Sequence, residues 1–329
     1  MTDQATSFLS RRKFVGTAAG GAALASAGSL LLDSKATFAK TDVAKGPQSE
    51  TIVTTLHKSL TDEQREAICL PFDHALRSKV DANWHINKTR VSQFSKDQQA
   101  MVREIFLKLH SPDYADKVYD QVEHDGGFGK GSIALFGKPG SGKFEFVYTG
   151  RHCTRRCDGN SVKGAAFGGP IFYGHAAKGF HEEPHHPGNV YWYQALQANK
   201  VFEMLDGKQR ETALLGRSRG ERGMKTITLT GKKSGLPGIR AADLSADQKG
   251  EMRKVMSALL APFRKQDADE AMQYIEASGF DNLHMAFYKT EDIGKDGVWD
   301  VWQIEGPSMV WYFRGQPHVH TWVHIKDKA

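Results

Sequence analysis

Cysteine is scarce in this chain of 329 residues: only Cys69, Cys153 and Cys157 occur. An odd number permits one disulfide at most, so bridges are not the framework of the fold. Cys153 and Cys157 can pair only if a tight turn separates them. Along a straight strand they stand about 13 Å apart, beyond bonding reach. Long apolar runs are absent after residue 39, which excludes a later membrane span. No Gly-x-Ser-x-Gly elbow occurs. The nearest sequence, Gly140-Ser141-Gly142, fails on spacing and on context, which argues against a serine hydrolase. Gly137-Lys-Pro-Gly-Ser-Gly142-Lys143 resembles a phosphate loop, but Phe144 stands where Ser or Thr would hold magnesium. A strand pattern follows instead of a helix, so the segment reads as a hairpin turn.

The N-terminus carries an address. Ser10-Arg11-Arg12-Lys13-Phe14-Val15, a weakly apolar Gly/Ala run from Gly16 to Leu32, and Ala36-Thr37-Phe38-Ala39 match a twin-arginine signal with a cleavage site. The expected partner is the twin-arginine export machinery, and the expected location is periplasmic or secreted. That route carries folded proteins. Removal of residues 1–39 takes away Arg11, Arg12, Lys13, Lys35, Asp3 and Asp33, leaving 40 basic and 36 acidic residues. Such a balance, with interleaved signs, argues against a nucleic-acid surface. No stable membrane span is expected after cleavage.

Residues 40–58 are polar and read as a flexible lead-in. The rest, 59–329, reads as one domain of two similar halves, about 59–190 and 191–329. Four segments share a pattern of an apolar residue, then Ser, Thr or Asp, then Gln three residues on: Thr61 to Gln64, Ser95 to Gln98, Asp206 to Gln209 and Ser245 to Gln248. Each marks an N-cap, and helices are expected at about 61–69, 95–110, 206–216 and 245–264. Strand patterns follow at Ser132–Gly137 and Phe144–Gly150, continuing through His152, then at His284–Tyr288 and in the aromatic tail at about 298–304, 309–313 and 319–325. The expected fold class is α+β, with antiparallel sheets flanked by helices and a degenerate duplication of helix–helix–hairpin halves. Gly164–Pro187 is irregular and carries His175, His181, His185 and His186. A loop of that length is commonly functional or disordered. Arg151, Arg155 and Arg156, and likewise Arg217, Arg219 and Arg222, can bind an anion but read as solvated faces.

In the last strand His318 and His320 share one face, about 6.6 Å apart along the chain, so two imidazoles can converge on one ion. His152, at the end of the first hairpin, is the expected third ligand, with His284, His175 or Glu305 as further donors. Glu305 is also the candidate proton-transfer group. Neutral imidazole suits zinc, copper or iron, and two or three histidines with an open position describe catalytic sites. The alternative is that these histidines hydrogen-bond within an aromatic core or lie exposed near the C-terminus. The loop group His181, His185 and His186, with Glu182 and Glu183, reads as solvated. His85 beside Trp84 reads as packing.

Phe72-Asp73, Asn83-Trp84-His85, the capped helix starts, Gly150-Arg151-His152, Leu283-His284-Met-Ala-Phe287, Gln303-Ile304-Glu305-Gly306-Pro307 and His318-Val-His320-Thr together resemble the family known as domain of unknown function 3500. That family usually shows Gly-His-His at Gly150-Arg151-His152, and a longer acidic turn where Arg314-Gly315-Gln316-Pro317 stands. The resemblance implies a shared fold and candidate positions but no mechanism. Two functions follow from the residues: an exported metalloenzyme acting on a small-molecule or oligomeric substrate in a cleft between halves, or a non-catalytic periplasmic metal- or ligand-binding protein.

Overall fold

All four anticipated caps form. The computed structural model describes residues 48–175, 190–289 and 295–329. Thr61 starts α2 (Asp62–Ile68), Ser95 starts α3 (Lys96–Lys108), Asp206 starts α6 (Gly207–Ala213) and Ser245 starts α7 (Ala246–Leu260), each with a complete capping box. The glutamine of each box has a second task. Gln64 and Gln98 exchange two amide hydrogen bonds, of 3.0 and 2.9 Å, and Gln209 and Gln248 exchange two of 3.1 and 2.7 Å. Each pair ties two helix starts together while satisfying both.

Four more helices were not anticipated: α1 (Gln48–Ser59), α4 (Ala115–Asp125), α5 (Tyr193–Glu203) and α8 (Lys265–Ala277). Helix α1 occupies much of the stretch read as a flexible lead-in. It is amphipathic enough to bury Val53 and Leu56 completely, and it packs on α3. The proposed signal segment, residues 1–39, and His181, His185 and His186 lie outside the described residues.

The strands β1 (Cys69–Leu70), β2 (Ser132–Gly137), β3 (Phe144–Gly150), β4 (Cys153–Cys157), β5 (Ile171–Gly174), β6 (Leu214–Leu215), β7 (Ile239–Arg240), β8 (His284–Tyr288), β9 (Val301–Glu305), β10 (Met309–Arg314) and β11 (His320–Ile325) form one sheet. Its order is β1-β2-β3-β4-β5-β11-β10-β9-β8-β6, with β7 also on β8. Pairing is antiparallel except for β1 with β2 and β6 with β8. The class is therefore α+β. The order reads the same from either edge to the β5–β11 seam, where the two runs of strands meet. The expected duplication is not confirmed: the two runs are alike only in strand order, and the β9–β10 turn carries Pro307-Ser308 whereas the β3–β4 turn carries Arg151-His152.

One face of the sheet packs against the helices in the main core, through side chains such as Tyr148, Tyr173, Trp302 and Trp311. The other face is covered by irregular chain and holds Phe172, Tyr288, Tyr312 and Trp322. Alternation with period two thus buries both faces. The Gly137–Lys143 segment is a hairpin turn between β2 and β3, with Gly137 at φ +76° and Gly140 at φ +83°. A Cβ on Gly137 would come within 2.2 Å of the Lys143 carbonyl oxygen. Cys153 and Cys157 lie at the two ends of β4, straight and unbridged.

The arginines of β4 are not a solvated face. Arg155 and Arg156 are 2 % and 3 % exposed. Arg156 pairs with buried Glu145 at 2.6 Å, and Arg155 donates from Nε to His110 Nε2 at 2.9 Å. Burial without partners would cost several kcal/mol per ion, so the pairing is obligatory.

Candidate metal centre

The β5–β11 seam places the candidate ligands. β11 begins at His320, opposite Gly174 of β5, and His318 lies in the turn just before it. His152 sits in the two-residue turn joining β3 to β4, where its backbone adopts φ +51°, a left-handed conformation uncommon outside glycine. Its amide N–H donates to the Ala82 carbonyl at 2.9 Å, which anchors the turn to the chain covering that face. The three rings meet there. The centroid of His152 is 4.9 Å from that of His318 and 4.7 Å from that of His320, and His318 and His320 are 4.7 Å apart. One nitrogen from each of the three lies within 4.8 Å of the other two, and they are a group that could hold a metal ion.

Carboxylates behind two of the rings fix which nitrogens face inward. Asp125, the last residue of α4, is hydrogen-bonded to His152 Nδ1. Glu221 meets His320 Nδ1 at 2.9 and 3.0 Å. It also accepts from Trp322 Nε1 at 2.7 Å and lies 3.3 Å from Arg314 Nε. With each Nδ1–H donating outward, Nε2 of His152 and of His320 is left bare toward the centre. His318 Nε2 lies 2.9 Å from His320 Nε2. A tetrahedral ion with nitrogen ligands at about 2.0–2.1 Å sets those ligands about 3.3 Å apart. The His318–His320 contact is shorter than that spacing and all three ligand atoms lie within 4.8 Å of one another, so the rings must shift to take an ion.

His318 and His320 are held in their neutral form. Burial and the neighbouring His320 and His152 push His318 down to about 3, and burial, outweighing Glu221, pushes His320 down to about 4. Both imidazoles are neutral at pH 7, the form that binds metal. Burial raises the Glu221 carboxyl, but His320, Arg314 and Trp322 outweigh it and hold the group below its ordinary value.

The remaining candidates lie elsewhere. His175 follows β5, its amide bonded to the carbonyl of Val319, a residue of the helix-side core, whereas His320 lies against Phe172 on the opposite face. Alternation therefore turns His175 away from the group. Glu305 and His284 face each other across β9 and β8, at the end of the sheet where Val310 pairs with Glu305, while Arg314 at the other end of β10 pairs with His320. Four residues of strand separate those ends, about 13 Å. Glu305 instead meets Arg219 at 3.3 Å and accepts from Gln303 at 3.0 Å, and His284 Nδ1 bonds the Asn282 carbonyl. The carboxylates that do reach the histidines, Asp125 and Glu221, are single acids in unremarked sequence, and no spacing marks either one. Cys153 is buried in the helix-side core, so the donor set holds no thiolate.

No curated protein and no solved structure matches this chain. Residues 45–327 match the family described as Protein of unknown function (DUF3500), and the chain belongs to that family.

Proposed function

We propose that this protein is an exported metalloprotein binding one divalent transition metal through Nε2 of His152, His318 and His320, and that it works as a metalloenzyme. The observation that carries the reading is the outward hydrogen bonding of two of the three rings to Asp125 and Glu221. Paired carboxylates behind ligand imidazoles set the tautomer and ring orientation that metal binding needs. Without a metal the ring nitrogens still make one hydrogen bond, between His318 Nε2 and His320 Nε2 at 2.9 Å, but that bond alone does not call for a carboxylate behind both His152 and His320.

Three neutral nitrogens and no sulfur suit zinc, copper(II) or iron(II), and leave a fourth position for water or substrate. When bound, the ion supplies Lewis acidity, or redox chemistry if it is copper or iron. The chain's own residues set ring orientation, and the aromatic wall of Phe172 and Trp322 limits water. Export by the twin-arginine route, read from residues 1–39, would let the folded protein take up its metal before translocation.

Elemental analysis of protein purified without a polyhistidine tag tests the reading. Stoichiometric metal is expected in the wild type and none in His318→Ala/His320→Ala. No stoichiometric metal in either would remove it. Metal lost during simple gel filtration would favour a carrier over an enzyme.

A further inference from the structure

We infer that a cavity of about 250 Å³ beside the histidine group is a binding site for a small oxyanion, held by Arg151 and Lys130, with His85 as part of the wall. The inference does not require the metal. Three of the side chains lining the cavity are basic or imidazole, and none is acidic. The rest of the wall is small or already satisfied. Gly126, Gly127 and Gly131 leave it open, and the Tyr148 hydroxyl donates to the Phe128 carbonyl at 2.9 Å.

The C-terminal end of α4 borders the cavity and would repel an anion if its carbonyls were bare. Here the Val122 carbonyl accepts from the N–H groups of both Gly126 and Gly127. Lys130 has no carboxylate within ion-pair distance among the described residues. Among the described residues Arg151 has one carboxylate within ion-pair distance, Asp125, whose Oδ1 lies 3.9 Å from Nε, beyond hydrogen-bonding reach. The Arg151 guanidinium is about half exposed, and its planar donors match a carboxylate or a phosphate in two-point contact. Asp125 therefore separates two sites: it orients His152 on one side and backs Arg151 on the other.

Titration calorimetry at low ionic strength and pH 7, with inorganic phosphate and with acetate in separate runs, tests this. Saturable one-to-one binding of at least one anion is expected in the wild type. It should weaken at least tenfold in Lys130→Met/Arg151→Met and stay unchanged in His318→Ala/His320→Ala. Whichever anion binds more tightly identifies the ligand as a phosphate or a carboxylate. Should the double variant fail the circular-dichroism check for folding, Lys130→Met alone, at an exposed position, is expected to weaken binding at least threefold. Absence of saturable binding in the wild type, or binding in Lys130→Met/Arg151→Met (or in Lys130→Met where the double variant does not fold) as tight as in the wild type, overturns the inference. So does loss of binding in the histidine variant, which would place the anion on the metal instead.

Discussion

An imidazole binds metal only through a bare nitrogen, and at His318 and His320 burial keeps both rings neutral at pH 7. Orientation is a separate requirement, met by Asp125 at His152 and by Glu221 at His320. Asp125→Asn and Glu221→Gln keep the size of each side chain but remove its charge. Each is expected to weaken metal affinity about 10–100-fold while leaving the stoichiometry at saturation unchanged. Competition against a chelator of known affinity measures this, with circular dichroism confirming the fold. Affinity equal to wild type in both variants would show that these carboxylates only pack. Neither acid was legible in the sequence. Asp125 is one of the acidic residues ending α4, Glu221 lies in a Gly- and Arg-rich stretch, and only tertiary structure brings either one to a histidine.

At the level of elements, legibility followed the chemistry of the helix starts. The four helices opened by Ser, Thr or Asp with Gln at the third helical position were found because the capping box writes itself into the sequence. Helices α4, α5 and α8 start at Tyr114, Trp192 and Arg264, whose side chains make no cap bond, so nothing local announced them. Strand β4 was hidden for the opposite reason: Arg155-Arg156 looks solvated, yet buried partners neutralise both. The glutamine pairs are the part of the cap pattern that sequence could not show. Gln98 is 4 % exposed, bonds Ser95 and Gln64, and donates to the Ser59 carbonyl. Gln98→Ala is expected to cost about 1–3 kcal/mol, because buried polar groups lose their partners. Gln64→Ala/Gln98→Ala should cost less than the two single changes added, since both remove the same amide pair. Urea unfolding of the three variants checks both statements, and strict additivity would show that the pair is not coupled.

Across the whole molecule, the site is assembled from a helix end near 125, a hairpin turn at 152, a covering segment at 221 and the start of β11. The His-x-His spacing exposed one of these four pieces, and the hairpin ending at His152 suggested a second. The β5–β11 seam that joins them is a long-range pairing with no local signature. Seam and covering chain also decide how the fold responds to acid. His324, on the face covered by that chain, hydrogen-bonds through Nδ1 to the Ile227 carbonyl at 3.1 Å. Burial, reinforced by Lys326 and Arg156, pushes it down to about 4 from its ordinary 6.5. Between those two values the unfolded chain binds a proton that the fold refuses. Stability from this group is therefore complete above about pH 6.5 and is lost as the pH falls toward 4. Buried Glu145, Asp158 and Asp267 are raised by burial and pull the other way, but they titrate alike in any variant that leaves them untouched. In metal-free protein, the slope of unfolding free energy against pH between 6.5 and 5 should be flatter in His324→Gln than in wild type. The difference should reach up to about 1.4 kcal/mol per pH unit. Identical slopes from urea unfolding at a series of pH values would mean that His324 titrates in the fold as it does in the unfolded chain, and that the covering segment does not seal this face from water.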